Sequence, residues 1–453
     1  MLSKLYLIQF FCIVLLQSKL ISNDPVWSSS FYTSKLDHNN QTSDTLNIKI
    51  LYTLQYVKRT SNCILFYTGN EAKIEWFWNN TQQIFVWAEK LHCVVVYMEH
   101  RFYGDSIPEN PKRNYQYLQI YQAMKDYVNF LTEIKNDGIE NVIIKSTAKI
   151  IAIGGSYGGM LAAFLRVYHY YIIDAAIAAS APVSLINGKT IDHEFYAIAS
   201  KSFVHFGKQS CADNIKSSWK FIDEFYKSTD GPQQIKKRFN LCNVMNLTDF
   251  TAALQDMYVM IAMLNYDSPM TYTWKGYRKF QSNHYERPVE RTCMYMNTNM
   301  TSSIDSKNNQ TINNVAATFM DYFPTNDDGC IDLVDKTTVN YDSWDYQACT
   351  ELAEPMATPE ENVTIFPDIK FSWNKTISDC FHKYNVMYDR DVVYEKDGSL
   401  DPWSAGAIEK YETATHLISK YAAHHNDLRI TNNKDTKRVQ AIELKWLAEI
   451  INN

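Results

Sequence analysis

The chain has 453 residues, of which 46% are hydrophobic and 21% are charged, and its formal net charge is -6 at pH 7. This length exceeds the size at which one hydrophobic core usually stops growing, so we expect two structural units or one unit enlarged by an insertion. The composition is that of an ordinary globular protein, which argues against disorder. No basic stretch with interleaved aromatic residues is present, which argues against a nucleic-acid partner.

The amino terminus predicts a secretory signal peptide over residues 1–22. Lys4 precedes an apolar run from Leu5 to Leu16, and a polar segment follows. A run of roughly 12 apolar residues is too short to cross a bilayer, which needs about 20, so a membrane anchor is the weaker interpretation. We therefore expect a cleaved signal and no stable membrane anchor.

Cysteines and glycosylation sequons agree with export. The chain has nine cysteines, of which Cys12 lies in the signal. The others form no CxxC pair and no Cys/His cluster at zinc spacing, which favours disulfides in an oxidising compartment. Candidate glycosylation sequons stand at Asn40, Asn79, Asn246, Asn299, Asn309, Asn362 and Asn374. The secretory route is predicted, and both the lysosome and the extracellular space remain open.

Short β-branched or aromatic runs then alternate with helical segments. The predicted strands are Asn47–Tyr56, Cys63–Tyr67, Cys93–Met98, Lys149–Ile153 and Asp174–Ala181, and the predicted helices between them are Ile74–Lys90 and Tyr117–Lys135. Buried strands separated by helices predict a parallel sheet with helices on both faces. The expected fold class is therefore α/β.

The pattern changes after this alternation. Residues 191–264 are helix-like without clear strands, and residues 297–314 are polar and rich in asparagine. We predict an inserted, mostly helical cap over residues 184–345, which divides the α/β domain into residues 24–183 and 346–453. Two elements are expected after the cap, a strand at Asp391–Tyr394 and a helix at Thr436–Asn452.

A GxSxG motif stands at Gly154–Gly158, directly after a predicted strand and before a helical segment. In such a turn the serine lies at a strained strand-to-helix corner, and glycines flank it because a Cβ would collide with the neighbouring strand and helix. Ser156 is thus the candidate nucleophile of an α/β-hydrolase, and the Tyr157 backbone N–H is a candidate oxyanion donor. The alternative is a glycine-rich turn without chemistry.

A serine nucleophile needs a histidine base and a carboxylate that orients the base, and in this fold the chain order is serine, acid, histidine. Asp401 lies in a turn-rich segment just past the predicted strand Asp391–Tyr394, where the acid belongs. The histidines after it are His416, His424 and His425. Because His416 lies in a helix-like run, the pair His424 and His425 is the leading source of the base. Taken alone, Asp401 is better explained as an ordinary turn residue before Pro402.

The segments GGSYGGML, LDPW and HHNDLR surround these candidates, and EHRFYGDS, FYTGNE, SKLDH and CTEL occur elsewhere in the chain. Together they resemble the signatures of the lysosomal Pro-Xaa carboxypeptidase and dipeptidyl peptidase II family of serine peptidases, in one order from about Phe31 to the carboxyl terminus. The resemblance implies Ser156 as nucleophile, Asp401 as acid and His424 as base. It also implies cleavage after proline in short peptides, usually at acidic pH.

The resemblance carries further implications for the site. Backbone N–H groups of Gly69 and Asn70 would supply the second oxyanion donor. Glu71 would meet a substrate amino terminus, and Cys349 would pair with Cys380. Glu354 departs from the family, because it falls in a stretch that is normally apolar.

Met160 and Trp403 would offer apolar walls to a proline ring, although core packing explains them equally well. The leading hypothesis is a serine exopeptidase for short, proline-containing peptides, and the sequence does not separate a carboxypeptidase from a dipeptidyl peptidase. An esterase or lipase on the same fold is supported by the GxSxG motif alone. An inactive secreted binding homologue is supported only by positions where the family usually has glycine and this chain has alanine. No metal or organic cofactor is implied, and whether the chain forms a homodimer is left open.

Overall fold

The described part of the chain contains one six-stranded sheet. The structure, a computed structural model, describes residues 26–183, 191–267, 287–297, 304–333, 341–360, 363–386, 415 and 417–452. The strands are β1 (Ser28–Lys35), β2 (Thr45–Thr53), β3 (Thr60–Thr68), β4 (Val94–Met98), β5 (Ile143–Gly155) and β6 (Ala175–Ala179). They lie in the order β1-β2-β4-β3-β5-β6. β2 pairs antiparallel with β1 and β4, whereas the pairs from β4 through β3 and β5 to β6 are parallel.

The predicted α/β fold is confirmed, with one difference at the edge of the sheet. The sequence analysis does not predict β1, whose residues are mostly exposed, because an edge strand lacks the buried alternation that marks a strand in sequence. The antiparallel pairing of β2 with both β1 and β4 makes the sheet mixed rather than wholly parallel. The signal at residues 1–22 and the predicted strand Asp391–Tyr394 lie outside the described residues.

Helices flank the sheet and form a separate layer. They are α1 (Ile74–Trp78), α2 (Gln83–Leu91), α3 (Ile120–Asp137), α4 (Tyr157–Tyr168), α5 (Phe195–Tyr226), α6 (Gly231–Arg238), α7 (Leu247–Met263), α8 (Pro288–Met296), α9 (Ile304–Tyr322), α10 (Tyr341–Thr350), α11 (Trp373–Tyr384) and α12 (Lys434–Asn452). The single helix predicted at Ile74–Lys90 is two helices. The Asn80 amide donates to Trp76 O at 2.8 Å and the Thr81 hydroxyl to Phe77 O at 2.7 Å, so side chains add to the backbone hydrogen bonds that end α1.

Two hydrophobic cores cover the two faces of the sheet. Along β3, Ile64 and Phe66 pack on the face that carries α3 and α4, while Leu65 and Tyr67 pack on the face that carries α1, α2 and α12. The alternation follows from the two-residue period of a strand. The sheet is therefore buried on both faces, as the apolar strands predict.

The helices from α5 to α9 share a third core, which includes Phe203, Tyr258 and Phe319. Phe366, which follows the predicted end of the cap in the chain, also packs in this core, and the cap boundaries at 184 and 345 stay predictions. The described cysteines form the disulfides Cys63–Cys93, Cys211–Cys293, Cys242–Cys330 and Cys349–Cys380. The pair that the resemblance implies, Cys349–Cys380, is thus present. No helix in the described ranges has the length and apolarity needed to cross a membrane.

Candidate active site

β5 ends and α4 begins at Ser156, in a backbone conformation that few serines adopt. Its φ is 58° and its ψ is -129°. A Cβ on Gly154 would lie 2.2 Å from the carbonyl carbon of Gly158, and a Cβ on Gly158 would lie 2.4 Å from Asn70 Oδ1. The Ser156 N–H donates to Ala179 O at 2.8 Å, which fixes the turn to β6. The corner has the tight, strained geometry that the GxSxG motif predicts.

Ser156 opens onto a cavity of about 280 Å³. The cavity lies at the carboxyl end of the parallel strands, against the end of α7 and the segment that follows α10. Among the sequence-predicted site residues, it brings together Asn70, Glu71, Ser156, Tyr157, Met160 and His424. Much of the remaining wall is apolar, formed by Pro182, Met260, Met263, Leu264, Trp344 and Leu352. Asp401, Trp403 and His416 lie outside the described residues.

The backbone donors next to Ser156 differ in their availability. Tyr157 is the first residue of α4, where an N–H has no acceptor within the helix. The Gly69 N–H already donates to Met98 O at 3.0 Å, because Gly69 extends the pairing of β3 with β4. The prediction of Gly69 as an oxyanion donor is therefore wrong. The Asn70 N–H has no acceptor in the described ranges, which leaves Tyr157 and Asn70 as the candidate pair.

The Asn70 side chain holds this loop against the nucleophile turn. It is 1% exposed, its Nδ2 donates to Gly155 O at 2.6 Å, and its Oδ1 accepts from the Tyr67 hydroxyl at 3.0 Å. Sequence reasoning missed this role, since it considered only backbone groups there. The asparagine next to a strand end in FYTGNE was the available signal.

A buried polar chain fixes the Tyr157 side chain. The Tyr157 hydroxyl and His100 Nε2 are 2.9 Å apart, and the Gln347 amide donates to that hydroxyl at 3.0 Å. Burial lowers the pKa of His100 to about 4, so the ring is neutral. His100 Nδ1 lies 2.7 Å from Arg101 O, which has no proton to give, so Nδ1 carries the ring proton and Nε2 accepts from Tyr157. The first residue of α4 is thus anchored from the segment after β4 and from α10.

The helical layer holds the backbone of His424. Its N–H donates to Met263 O at 3.0 Å, and its carbonyl accepts from the Tyr266 hydroxyl at 3.1 Å. The residue is 3% exposed and lines the cavity. Its position therefore depends on the end of α7 as well as on its own segment.

His425 lies in a different environment, although it is the next residue. Its N–H donates to Ser180 Oγ at 2.7 Å, and a Cβ on Gly155 would lie 2.8 Å from its ring carbon Cγ. Burial lowers the pKa of His425 well below its usual value, and the charges of His424 and Arg429 lower it further. A group held neutral in this way is a poor acceptor for a proton. Of the two histidines, His424 is better suited to be the base.

Arg429 is a lining residue that sequence reasoning missed. Its guanidinium donates to Asn80 O at 3.1 Å and to Asn80 Oδ1 at 3.0 Å, and it lies 4.1 Å from the centre of the Tyr266 ring. These contacts bind the loop after α1 to the segment that carries the histidines. The positive charge itself has no described carboxylate as a direct partner.

Two acids face the cavity. Glu71 has one buried carboxylate oxygen, Oε2, with no partner among the described residues. Burial raises the pKa of Glu71, while its own N–H, His424 and Asn70 oppose the rise. Burial also raises the pKa of Glu354 to about 8, and the charge of Glu71 adds to this rise. Nothing in the sequence placed these two acids in one cavity.

The described residues contain no group of three or more His, Cys, Asp or Glu side chains that could hold a metal ion. Among the sequons, Asn40, Asn246, Asn309 and Asn374 are exposed, and Asn79 is only 8% exposed, which makes it the poorest acceptor for a glycan. Asn299 and Asn362 lie outside the described residues.

The serine lies at a strained strand-to-helix corner, and a buried histidine lines the same cavity. Together with the strand order of the sheet, these features define an α/β-hydrolase of the serine hydrolase class. The chain belongs to the family described as serine carboxypeptidase S28, which it matches over residues 34–397. It is therefore a serine-type peptidase by family.

Curated relatives extend over nearly the whole chain. The chain is 30% identical to "Lysosomal Pro-X carboxypeptidase" of Homo sapiens over 91% of this chain and 85% of that protein. It is 28% identical to the protein of the same name from Mus musculus, over 94% of this chain and 90% of that protein. It is also 28% identical to "Prolyl carboxy peptidase like protein 5" of Caenorhabditis elegans, over 87% of this chain and 85% of that protein.

Proposed function

We propose that this chain is a serine exopeptidase that cleaves short peptides after proline through an acyl-enzyme. The observation that carries the proposal is the presence of Ser156 and His424 in one largely apolar cavity, beside two candidate oxyanion donors. The names of the human and mouse relatives support proline as the residue before the cleaved bond. A proline ring offers a compact apolar face and no N–H, which suits a wall built from Met160, Leu352 and Trp344.

The reaction proceeds in two balanced halves. Ser156 Oγ attacks the prolyl carbonyl carbon while its proton passes to His424, and the N–H groups of Tyr157 and Asn70 bind the oxyanion. The C–N bond then breaks as His424 gives that proton to the leaving amine, which leaves an ester on Ser156. Water attacks the ester with His424 again as base, and the serine hydroxyl is restored. Asp401 is the proposed acid that orients His424.

The proposed location is the lysosome. Four disulfides fit an oxidising compartment on the secretory route, and the relatives' names supply the organelle. Within the proposed activity, either the carboxyl-terminal residue or an amino-terminal dipeptide is released.

Two peptide sets test the proposal between pH 4 and 8. One set has a free amino terminus and proline second, and the other has a blocked amino terminus and proline next to last. Release of a dipeptide from the first set identifies a dipeptidyl peptidase, and loss of the last residue from the second identifies a carboxypeptidase. Both activities should disappear in Ser156→Ala and persist in Ser217→Ala, which removes an exposed hydroxyl on α5. Absence of Ser156-dependent cleavage from both sets would overturn the proposal.

A further inference from the structure

The proposed chemistry leaves one cavity acid without a role. Glu354 follows α10 and lines the same cavity as Ser156. Its carboxyl group makes no hydrogen bond or ion pair with any residue in the described ranges, and burial together with the charge of Glu71 accounts for its raised pKa. Glu354 is partly buried, and a carboxyl group that lies without a partner in a largely apolar cavity is costly, so its presence there requires an explanation.

Glu71 adds a second acceptor at the same place. Its Oε2 is buried without a described partner, although its carboxylate also meets the Asn70 side chain and its own N–H. The two carboxyl groups are close enough for the charge of one to raise the pKa of the other. The cavity therefore offers a pair of acids with unused acceptor capacity.

The positive groups of the cavity do not satisfy this pair. Arg429 is the one permanent cation among the described lining residues, and its guanidinium is bound to Asn80 and stacked on Tyr266. His424 lies near enough to Glu71 to lower its pKa, but its proton is needed for catalysis. No further cation among the described lining residues completes the pair, and an ammonium group of the substrate is the candidate.

We propose that Glu71 and Glu354 together bind a primary ammonium group of the peptide substrate, beside Ser156. The inference rests on the proposed function and names its substrate class: short peptides with an ammonium group close to the cleaved bond. The group is either the amino terminus or a lysine side chain. An ammonium group fits because it can donate up to three hydrogen bonds to the two carboxyl groups.

The pair also predicts how pH acts on binding. The titratable and charged groups around it on the cavity wall are His424, His425, Arg429, Tyr157 and Tyr266. Below about pH 8 the empty Glu354 holds its proton. Because a bound ammonium group favours the ionised carboxyl, its binding releases that proton and strengthens as pH rises. KM for an ammonium-bearing peptide should fall between pH 5 and 8 relative to KM for a neutral analogue.

Four tripeptides test the proposal. Lys-Pro-Phe, norleucine-Pro-Phe and the amino-acetylated forms of both present the same Pro-Phe bond, whose hydrolysis is both carboxypeptidase and dipeptidyl peptidase activity. If acetylation lowers kcat/KM, the amino terminus supplies the ammonium group. If replacement of lysine by norleucine lowers kcat/KM, the side chain supplies it. We expect wild type to prefer one ammonium source by about 10- to 100-fold. Glu354→Gln should reduce this ratio to near one, whereas the exposed control Glu360→Gln should keep it.

The outcomes separate this inference from the proposed function. Cleavage of all four peptides at similar rates by wild type would overturn the ammonium site and leave the proposed function intact. No Ser156-dependent cleavage of any peptide would overturn the proposed function itself.

A second measurement uses the wild-type protein alone, so it does not depend on whether a variant folds. n-Pentylamine should inhibit wild-type cleavage of the acetylated norleucine peptide more strongly than 1-pentanol, and increasingly so from pH 5 to 8. Equal inhibition by the amine and the alcohol would contradict the proposal.

Discussion

The two sides of the cavity are built differently. On the side of the nucleophile, the Asn70 amide and the Tyr157 hydroxyl are paired within the protein, although Glu71 Oε2 has no described partner. On the opposite side, between the end of α7 and the segment after α10, the described wall is largely apolar and includes Glu354, whose carboxyl group has no described partner. The comparison teaches that the groups proposed for chemistry are fixed before substrate arrives, whereas the groups that select substrate are completed by it.

The largest expected effect is on catalysis, at the pair His424 and His425. His424→Gln should lower kcat/KM by at least about 10³-fold, since removal of the base also disables the nucleophile. His425→Gln should cost far less, roughly tenfold, because burial already keeps the His425 ring neutral. Steady-state kinetics of both variants, with circular dichroism to confirm folding, makes the measurement. Equal losses in the two variants would remove the distinction between them.

The glycine at the elbow gives the next effect. Gly158→Ala places a Cβ 2.4 Å from Asn70 Oδ1 and 2.6 Å from Thr68 O, and the backbone oxygen cannot move aside. We expect the free energy of unfolding to fall by about 2–4 kcal/mol and the activity to fall at least about tenfold.

Gly329→Ala is the matched control. Its Cβ would meet nothing within 4 Å, and only its φ of +79° opposes the substitution. Chemical denaturation should show a loss of about 1 kcal/mol without a change in kcat/KM. If Gly158→Ala were as mild as this control, the close packing of the elbow would not be essential.

A third effect concerns stability alone, on the side of Glu354. Its pKa is raised from the ordinary value of 4.5 to about 8 in the folded protein. Below pH 4.5 both folded and unfolded chains hold the proton, and between pH 4.5 and 8 only the folded chain does. The free energy of unfolding should therefore fall as pH rises through this window, by roughly 2–4 kcal/mol from this group, and the loss is complete above pH 8.

Glu354→Gln should flatten the dependence of the free energy of unfolding on pH, whereas the exposed control Glu360→Gln should leave it unchanged. Thermal or urea unfolding without substrate at pH 5, 6.5 and 8.5 measures it. Some slope will remain in the variant, since burial raises the pKa of Glu99 to about 7 as well. Parallel curves for wild type and Glu354→Gln would show that the Glu354 carboxyl does not titrate in this range.

The strongest sequence signals were local ones. The strand Lys149–Ile153, the glycines and the serine of the elbow are contiguous, so periodicity and turn chemistry were enough to predict β5, α4 and the corner between them. The break between α1 and α2 was not predictable in this way. It depends on the side chains of Asn80 and Thr81, whose polar groups compete with the backbone.

The rest of the site depends on contacts between distant parts of the chain. The motifs SKLDH and EHRFYGDS carried the family resemblance without an assigned role, and the structure shows that Ser34 and Arg101 meet at the buried Asp126 at distances of 2.6–2.7 Å. The availability of the Gly69 N–H was likewise hidden, because its acceptor Met98 lies on a neighbouring strand. A single sequence does not show which polar groups are already paired.

The attachment of His424 to the end of α7 has a consequence for biosynthesis. The sheet and the nucleophile turn come from the first 179 residues, but the proposed base follows much later and is held by Met263 and Tyr266. A nascent chain can therefore display Ser156 long before it has the partner that activates it. The peptidase is expected to be inert throughout most of its synthesis on the ribosome, and activity should appear only when nearly the whole chain has been made and folded.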